Sequence, residues 1–415
     1  MPRSRHVLGL LIVIATISTG FYVAYDAPER LAIVRHEQAK AIVPIFDQSP
    51  ITHVLDQEQY ITYLPHSGFQ AQRIAFENAI MVAHYTNRTL IAPMARLGAN
   101  FEFGTFDQLR ERYLSQTLDS ADGISVPWST LFDLEAVKTK YNVRIIEKTH
   151  GHTDGSPDIW IGEHPSPDII HFINKTQALR SWKIYDKQNN PSPLGSYTYK
   201  LTVDELKAID QPLLYFGSMW GGARVMYSQA ANQAFQTFLR QHFKIVHPTL
   251  TSAADTAIYA MGGVDRYVAV QVLSVGRGKP NHDQQLDNAI QSLLSELDLD
   301  EMLMGDDVFA GRDCLEDRLS PKLYLATDLS SPYSNPVFTR LRSLFPCAVA
   351  YQDLVHWDMI QDPLANMTDD YGRNIGPYFV PLVDGIIASK ATKFFSQQGS
   401  GYGQYFQQAW QIEHR

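Results

Sequence analysis

Residues 60–93 read YITYLPHSGFQAQRIAFENAIMVAHYTNRTLIAP. The first five, 60–64, are apolar and rich in strand formers, and Pro65, Ser67 and Gly68 then break the run. From Phe69 the period changes: Ile74, Ala75, Ala79, Ile80 and Ala83 recur at helical spacing. Asn87 closes that helix, and 89–92 is a second short apolar run stopped by Pro93. Two strands joined through a helix pair in parallel. The stretch therefore predicts a βαβ unit opening a doubly wound α/β domain.

The loop of this unit is the first candidate site. A helix that starts just after a glycine points free backbone N–H groups, and the positive end of its dipole, into the loop. Gly68 has no Cβ to hold a ligand away. Gln72 and Arg73 add donors on the first turn, and an arginine can grip a phosphate through two bonds. Taken alone, the loop fits a phosphate or sugar-nucleotide site, or an ordinary βα turn with a surface arginine. Short glycine loops do not decide between the two.

The length, 415 residues, predicts two or three domains, and 45% hydrophobic residues suffice for real cores. A net charge of −9 has the wrong sign for a nucleic-acid partner. No repeat or low-complexity tract is present.

Residues 7–25 are apolar and uncharged, behind Arg3 and Arg5. That is close to the roughly 20 residues that cross a bilayer. The run predicts an N-terminal transmembrane signal-anchor in contact with the lipid bilayer. Residues 1–6 would be a cytosolic tail and 26–57 a stem, with the remainder in the lumen of the endoplasmic reticulum or Golgi. Small residues at 16–20 keep a cleaved signal open as the alternative. In an oxidising lumen the two cysteines, Cys314 and Cys347, read as one disulfide, with two separate buried thiols as the alternative. Neither has metal-site spacing. N-x-S/T sequons make Asn87, Asn174 and Asn366 candidate glycan sites. Asn87 lies in a helix-to-strand connection, where burial would count against it.

Strand and helix patterns alternate in two halves, expected at 58–250 and 251–415. In the first, strands are expected at 143–147, 169–173 and 213–217. The motif at 126–134, VPWSTLFDL, reads as a loop with an aromatic anchor leading into a helix. A helix with Phe235, Phe238, Leu239 and Phe243 on one face follows. His247 and Pro248 are expected to stop it, placing a hinge at 246–265. In the second half, 266–273 is apolar on both faces, as in a covered parallel sheet. Further strands are expected at 323–326 and 348–351, and helices at 283–298, 336–345 and 379–391. Ligands of such folds sit beyond the carboxyl ends of the strands, which selects loops 65–69, 274–281, 327–332 and 397–403.

HSGFQAQRIAFENA followed by NRTLIAP resembles the first motif of the GDP-fucose protein O-fucosyltransferase superfamily, in the version found in fungal membrane proteins. VPWSTLFDL, LLYFGSMWGGARV, PKLYLATDLSSPYSNP, FPCAVAYQD and PLVDGIIASKA continue the resemblance in the same order, over roughly residues 58–405. It implies a GT-B-like fold: two doubly wound Rossmann-type domains facing a cleft, with GDP-fucose between them. It further implies no metal or other cofactor, and a Ser or Thr hydroxyl of a polypeptide as acceptor. Phe69 and Gln72 match the family's opening loop, while Ala71 stands where it usually has Asn. Asp328 matches the Asp of its ATD turn and would bind guanine or ribose; a helix N-cap is the plainer role for it. Ser400 matches its nucleotide loop, where Tyr402 replaces a Phe and Gly401 and Gly403 replace hydroxyl residues. The largest departure is QVLSVGRG at 271–278. Gln271 holds the place of the family's His and Leu273 that of its Arg, the group that would stabilise the leaving diphosphate. Arg277 is the candidate replacement.

The implied chemistry is inverting transfer of a sugar from a nucleotide diphosphate to a protein hydroxyl. The alternative is a lumenal glycan- or protein-binding protein that keeps the fold and has lost catalysis. No residue is assigned as general base; Glu77, Asp306 and Asp307 are weak candidates. A metal-dependent reading of Asp298-Leu299-Asp300 is disfavoured because the pair ends a helix rather than following a strand. No G-x-S-x-G supports a serine hydrolase.

Overall fold

The computed structural model describes residues 58–98, 102–115, 123–147, 169–173, 179–273, 282–297, 322–329, 332–369, 372–396 and 401–414. The chain divides into two compact units, Met1–Pro50 and Ile51–Arg415. The first unit, with the apolar run 7–25, lies outside the described residues. Among those that are described, no helix is long and apolar enough to cross a membrane.

The expected βαβ unit is present as β1 (Tyr60–Tyr63), α1 (Phe69–Thr86) and β2 (Thr89–Ala92). β1 and β2 pair in parallel, Tyr60 opposite Thr89 and Ile61 opposite Leu90. Both strands are buried along their whole length, as their unbroken apolar runs require. α1 stops where Asn87 turns left-handed (φ 55°, ψ 35°) and returns its N–H to the carbonyls of Ala83 and His84.

The first half continues through β3 (Ala95–Leu97), α2 (Phe106–Ser115), β4 (Ile124–Val126), α3 (Trp128–Leu131), α4 (Leu134–Tyr141) and β5 (Ile145–Glu147). β6 (Ile170–Ile173), β7 (Trp182–Tyr185), β8 (Tyr199–Thr202), α5 (Val203–Lys207), β9 (Leu213–Phe216), β10 (Ala223–Val225) and α6 (Ala230–His242) complete it. The main sheet runs β5-β2-β1-β9-β6, all pairs parallel. The chain builds outward from β1 to one side and then to the other. Strand order therefore reverses between β1 and β9.

The second half holds α7 (Pro248–Ala260), β11 (Val268–Gln271), α8 (His282–Leu297), β12 (Leu323–Ala326), α9 (Thr339–Leu344), β13 (Ala348–Val349) and α10 (Tyr351–His356). It ends with α11 (Val380–Ser389), β14 (Lys393–Phe395) and α12 (Gly401–Glu413). Its sheet runs β13-β12-β11-β14, again parallel throughout. Here the reversal falls between β11 and β14.

Three features depart from the sequence reading. Pro248 does not merely stop α6: with His247 as cap, it opens α7 across the expected hinge, because proline suits the first helical position, where no N–H is needed. β7, β8 and β10 form a separate three-stranded parallel sheet, and β3 pairs with β4 as an antiparallel ribbon. The glycine-rich run expected to be loop through Gly403 is already helical from Gly401.

One apolar core passes without interruption from α1, α3 and α6 to α7, α11 and α12. A smaller one lies between β11, β12, α8 and α9. α11 meets α12 at Gly385, where a Cβ would overlap the Phe406 ring. α12 then packs on α1, in the other half of the molecule. Its last residue, Glu413, accepts from Lys244 and from Lys390, each at 2.6 Å.

Candidate functional site

Both strand-order reversals lie where an open parallel sheet binds ligands, beyond the carboxyl ends of the strands. At the first, β1 gives way to 65–68 and β9 to 217–222. His66 is 2% exposed and joins the two loops. Its Nε2 lies 2.7 Å from the Oγ of Ser218 and its Nδ1 2.9 Å from the Oγ of Ser67. The Ser218 hydroxyl donates to the Trp220 carbonyl, so the proton shared with His66 belongs to Nε2 and the Ser67 hydroxyl donates to Nδ1. Burial lowers the His66 pKa to about 4. The ring is neutral at cellular pH and acts as a brace. His66 is not among the residues expected at the site, although a histidine two residues before the loop glycine is a visible signal.

Ser67 has positive φ (65°), and Gly68, the N-cap of α1, is extended (φ −73°, ψ 171°) with no side-chain cap bond. An uncapped N-terminus leaves its first-turn N–H groups available to an anion. The side chains around it are committed elsewhere. Phe69 is buried among Trp128, Phe132, Tyr402 and Tyr405, so its part in any ligand site is its backbone. Gln72 was expected to offer donors to a ligand. Instead its Nε2 donates to the carbonyls of Ser67 (3.0 Å) and Arg96 (3.1 Å), and its Oε1 accepts from the Arg96 N–H (2.9 Å). It ties the loop to β3. Arg73 is likewise taken: Nε donates to Gln70, a second nitrogen lies 3.3 Å from Glu77, and its guanidinium covers the Tyr405 ring at 4.9 Å. Glu77 also receives Arg240 at 3.1 Å, which fits an ion-pair centre better than a general base.

At the second reversal, Gln271 ends β11. It is 2% exposed, and its Oε1 has no hydrogen-bond partner among the described residues. Asp328 lies exposed two residues beyond the end of β12, near the buried Asp384 of α11. The Tyr324 hydroxyl donates to Asp384, and burial is the main cause that lifts the Asp384 pKa to about 8. Asp384 therefore holds its proton at neutral pH. Asp384 is likewise not among the expected site residues, although an aspartate inside the apolar run VPLVDGII is a visible signal.

The two ends meet through aromatic rings. Phe69, at the start of α1, stacks on Tyr402, at the start of α12, with centroids 6.1 Å apart and planes 21° apart. Asp384 is near enough to Tyr402 to act on it electrostatically. The structure thus gathers Gly68, Phe69, Gln72, Arg73 and Tyr402. Gln271 and Asp328 stand at the strand ends of the second sheet. Arg277, Ser400, Asn174, Cys314, Asp298, Asp300, Asp306 and Asp307 lie outside the described residues. Cys347 is buried and disulfide-bonded. Asn87 is exposed, as is Asn366. Among the described residues no group of three or more His, Cys, Asp or Glu is placed to hold a metal ion.

The fold is a mixed α/β one built on parallel sheets. No family model matches the chain, and no curated protein matches it. Among solved structures it is similar to POFUT1 in complex with GDP, at 14% identity and TM-score 0.43, over 85% of this chain and 95% of that one. It is similar to POFUT1 in complex with GDP-fucose, at 13% identity and TM-score 0.41, over 85% and 94%. The apo form of POFUT1 gives 12% identity and TM-score 0.42, over 87% and 97%.

Proposed function

We propose that this chain is a glycosyltransferase that moves a sugar, fucose from GDP-fucose, to a Ser or Thr hydroxyl of a polypeptide, with inversion and without a metal. The observation that carries the reading is the Phe69–Tyr402 stack. It joins the uncapped start of α1 to the start of α12, two stretches that resemble the family's opening and nucleotide loops, with Ala71 in place of an Asn and Tyr402 in place of a Phe. Each stands at the strand-order reversal of its own sheet. The α1 N-terminus would receive the diphosphate, with Arg277 and Ser400 as further donors, and Asp328 would bind the guanine edge or the ribose. Stabilising the leaving diphosphate and holding the acceptor in line are then the protein's two tasks. Residues 7–25 would anchor the chain in a secretory membrane, with the transferase part in the lumen.

A second reading, a lumenal protein that binds without turnover, is favoured by Gln271 and Leu273 at the family's His-x-Arg positions. Calorimetry of the purified chain with GDP and with GDP-fucose, chelator present, tests both. Micromolar GDP-fucose binding, weakened by Arg277→Ala and accompanied by release of GDP when an acceptor is supplied, supports the transferase. Binding with no release leaves the second reading. No binding of either nucleotide removes the fucosyltransferase reading.

A further inference from the structure

A cleft of about 580 Å³ runs beside α1. One wall is the helical stripe Gln70, Arg73, Ile74, Glu77 and Asn78; another is Gln404 and Gln408, one turn apart on α12. The first stripe has the i, i+3, i+4, i+7, i+8 spacing of a single helix face. The remaining wall comes from β10 and its surroundings, with Arg180, Arg224, Trp220, Tyr197 and Tyr227. The volume is in the range that holds a small ligand.

The charge of this cleft is opposite to that of the chain. Four guanidinium groups, from Arg73, Arg180, Arg224 and Arg240, face one carboxylate, Glu77, in a protein of net charge −9. Glu77 is shared by Arg73 and Arg240. Arg180 donates to the Ser196 hydroxyl. Arg224 is exposed in the middle of β10, and no hydrogen bond or ion pair engages its guanidinium among the described residues. The other lining groups have a common chemistry. Amides both donate and accept, which suits a polyol. Trp and Tyr rings offer apolar faces beside polar edges, which suits the C–H face of a sugar ring. Arginine matches carboxylate or an oxyanion ester through two parallel bonds.

We infer that this cleft binds an oligosaccharide carrying acidic groups, with Arg224 and Arg180 gripping the charge and Trp220, Tyr197 and Tyr227 facing the sugar rings. The site goes beyond the nucleotide-sugar reading and does not depend on it. Uronate and sulfate present the same charge to a guanidinium, so the ligand class is defined by an acidic group on a sugar.

The test is calorimetric titration of the full chain with trigalacturonate, sulfated maltotriose, plain maltotriose and a hexaglutamate peptide. At least one acidic trisaccharide binds, and which one identifies the acidic group. Plain maltotriose binds at least about tenfold more weakly, and Arg224→Ala weakens the acidic sugar about tenfold. Arg224→Glu weakens it further, and raising salt weakens the wild type. Both substitutions are at an exposed position, and circular dichroism confirms that the variants are folded. Failure of both acidic sugars overturns the inference. So does equal binding of maltotriose, or no effect of either Arg224 variant. Tighter binding of hexaglutamate overturns the glycan assignment in favour of an acidic polypeptide.

Discussion

The Nε2 of His66 lies 2.7 Å from the Oγ of Ser218, a residue 152 positions further along the chain. That bond fastens the loop after β1 to the loop after β9 at the point where the first sheet changes direction. The second bond of the brace, from the Ser67 hydroxyl to Nδ1, requires a neutral ring, and burial supplies one by lowering the His66 pKa to about 4. An unfolded histidine titrates near 6.5. The native state therefore binds fewer protons than the unfolded state between those values. The stabilisation is complete above about pH 6.5 and is lost as pH falls toward 4. The shift corresponds to a loss on the order of 3 kcal/mol. Denaturant unfolding of the wild type and of His66→Asn at pH 7 and at pH 4.5 measures it: the wild type loses more stability than the variant on acidification.

Asp384 has the opposite sign. Its pKa is raised to about 8, so folding retains a proton that the unfolded carboxyl releases near pH 4. Its contribution is complete below about pH 4, declines as pH rises, and is gone above about 8. Asp384→Asn keeps an acceptor for the Tyr324 hydroxyl and removes the titration. The variant is expected to be at least as stable as the wild type at pH 8, with a flatter dependence of melting temperature on pH from 5 to 8. An unchanged slope would refute this assignment.

Gly385 is required by packing. A methyl there would overlap Phe406, a residue only 1% exposed. Gly385→Ala is expected to cost about 1–3 kcal/mol through overpacking, despite alanine's better helix propensity. Chemical denaturation of the variant gives the number, and Gly385→Ala combined with Phe406→Leu recovers part of the loss.

Tyr402→Ala removes the ring stacked on Phe69. Such a pair contributes about 0.5–1.5 kcal/mol beyond its buried area. If the joined helix starts bind the donor, GDP affinity falls about three- to tenfold in Tyr402→Ala, while Tyr402→Phe binds as the wild type does. Calorimetry with GDP measures both, and equal affinities in all three proteins would remove Tyr402 from the site.

Much of the scaffold was legible because its signals are local. The β1–α1–β2 unit announces itself through an apolar run, a change of period and an Asn at the helix end. The second sheet's β11 and β12 do so through their unbroken apolar runs. The small sheet of β7, β8 and β10 was not legible: β8 is largely exposed, and β7 and β10, though mostly buried, are only 4 and 3 residues long, too short to show a period. The candidate site was legible in position more than in role. Gln72 and Arg73 were visible as donors, but what occupies Gln72 is the backbone of Arg96, 24 residues on. Long-range partners of that kind leave no mark on spacing. The Arg73–Glu77 pair, one helical turn apart, was open to a local rule.

The placement of α12 bears on how the protein is made. A ribosome delivers β1 and α1 early, and domains tend to fold as they emerge. Yet the rings that cover Phe69 and Arg73, those of Tyr402 and Tyr405, belong to α12, far along the chain from α1. Glu413 clips that helix to Lys244 and Lys390. The first half can form its sheet during synthesis, but the face of α1 around Phe69 and Arg73 stays open until α12 has been made. A nascent chain stalled before residue 401 would display that apolar and cationic face, a surface a chaperone can hold and the finished molecule conceals.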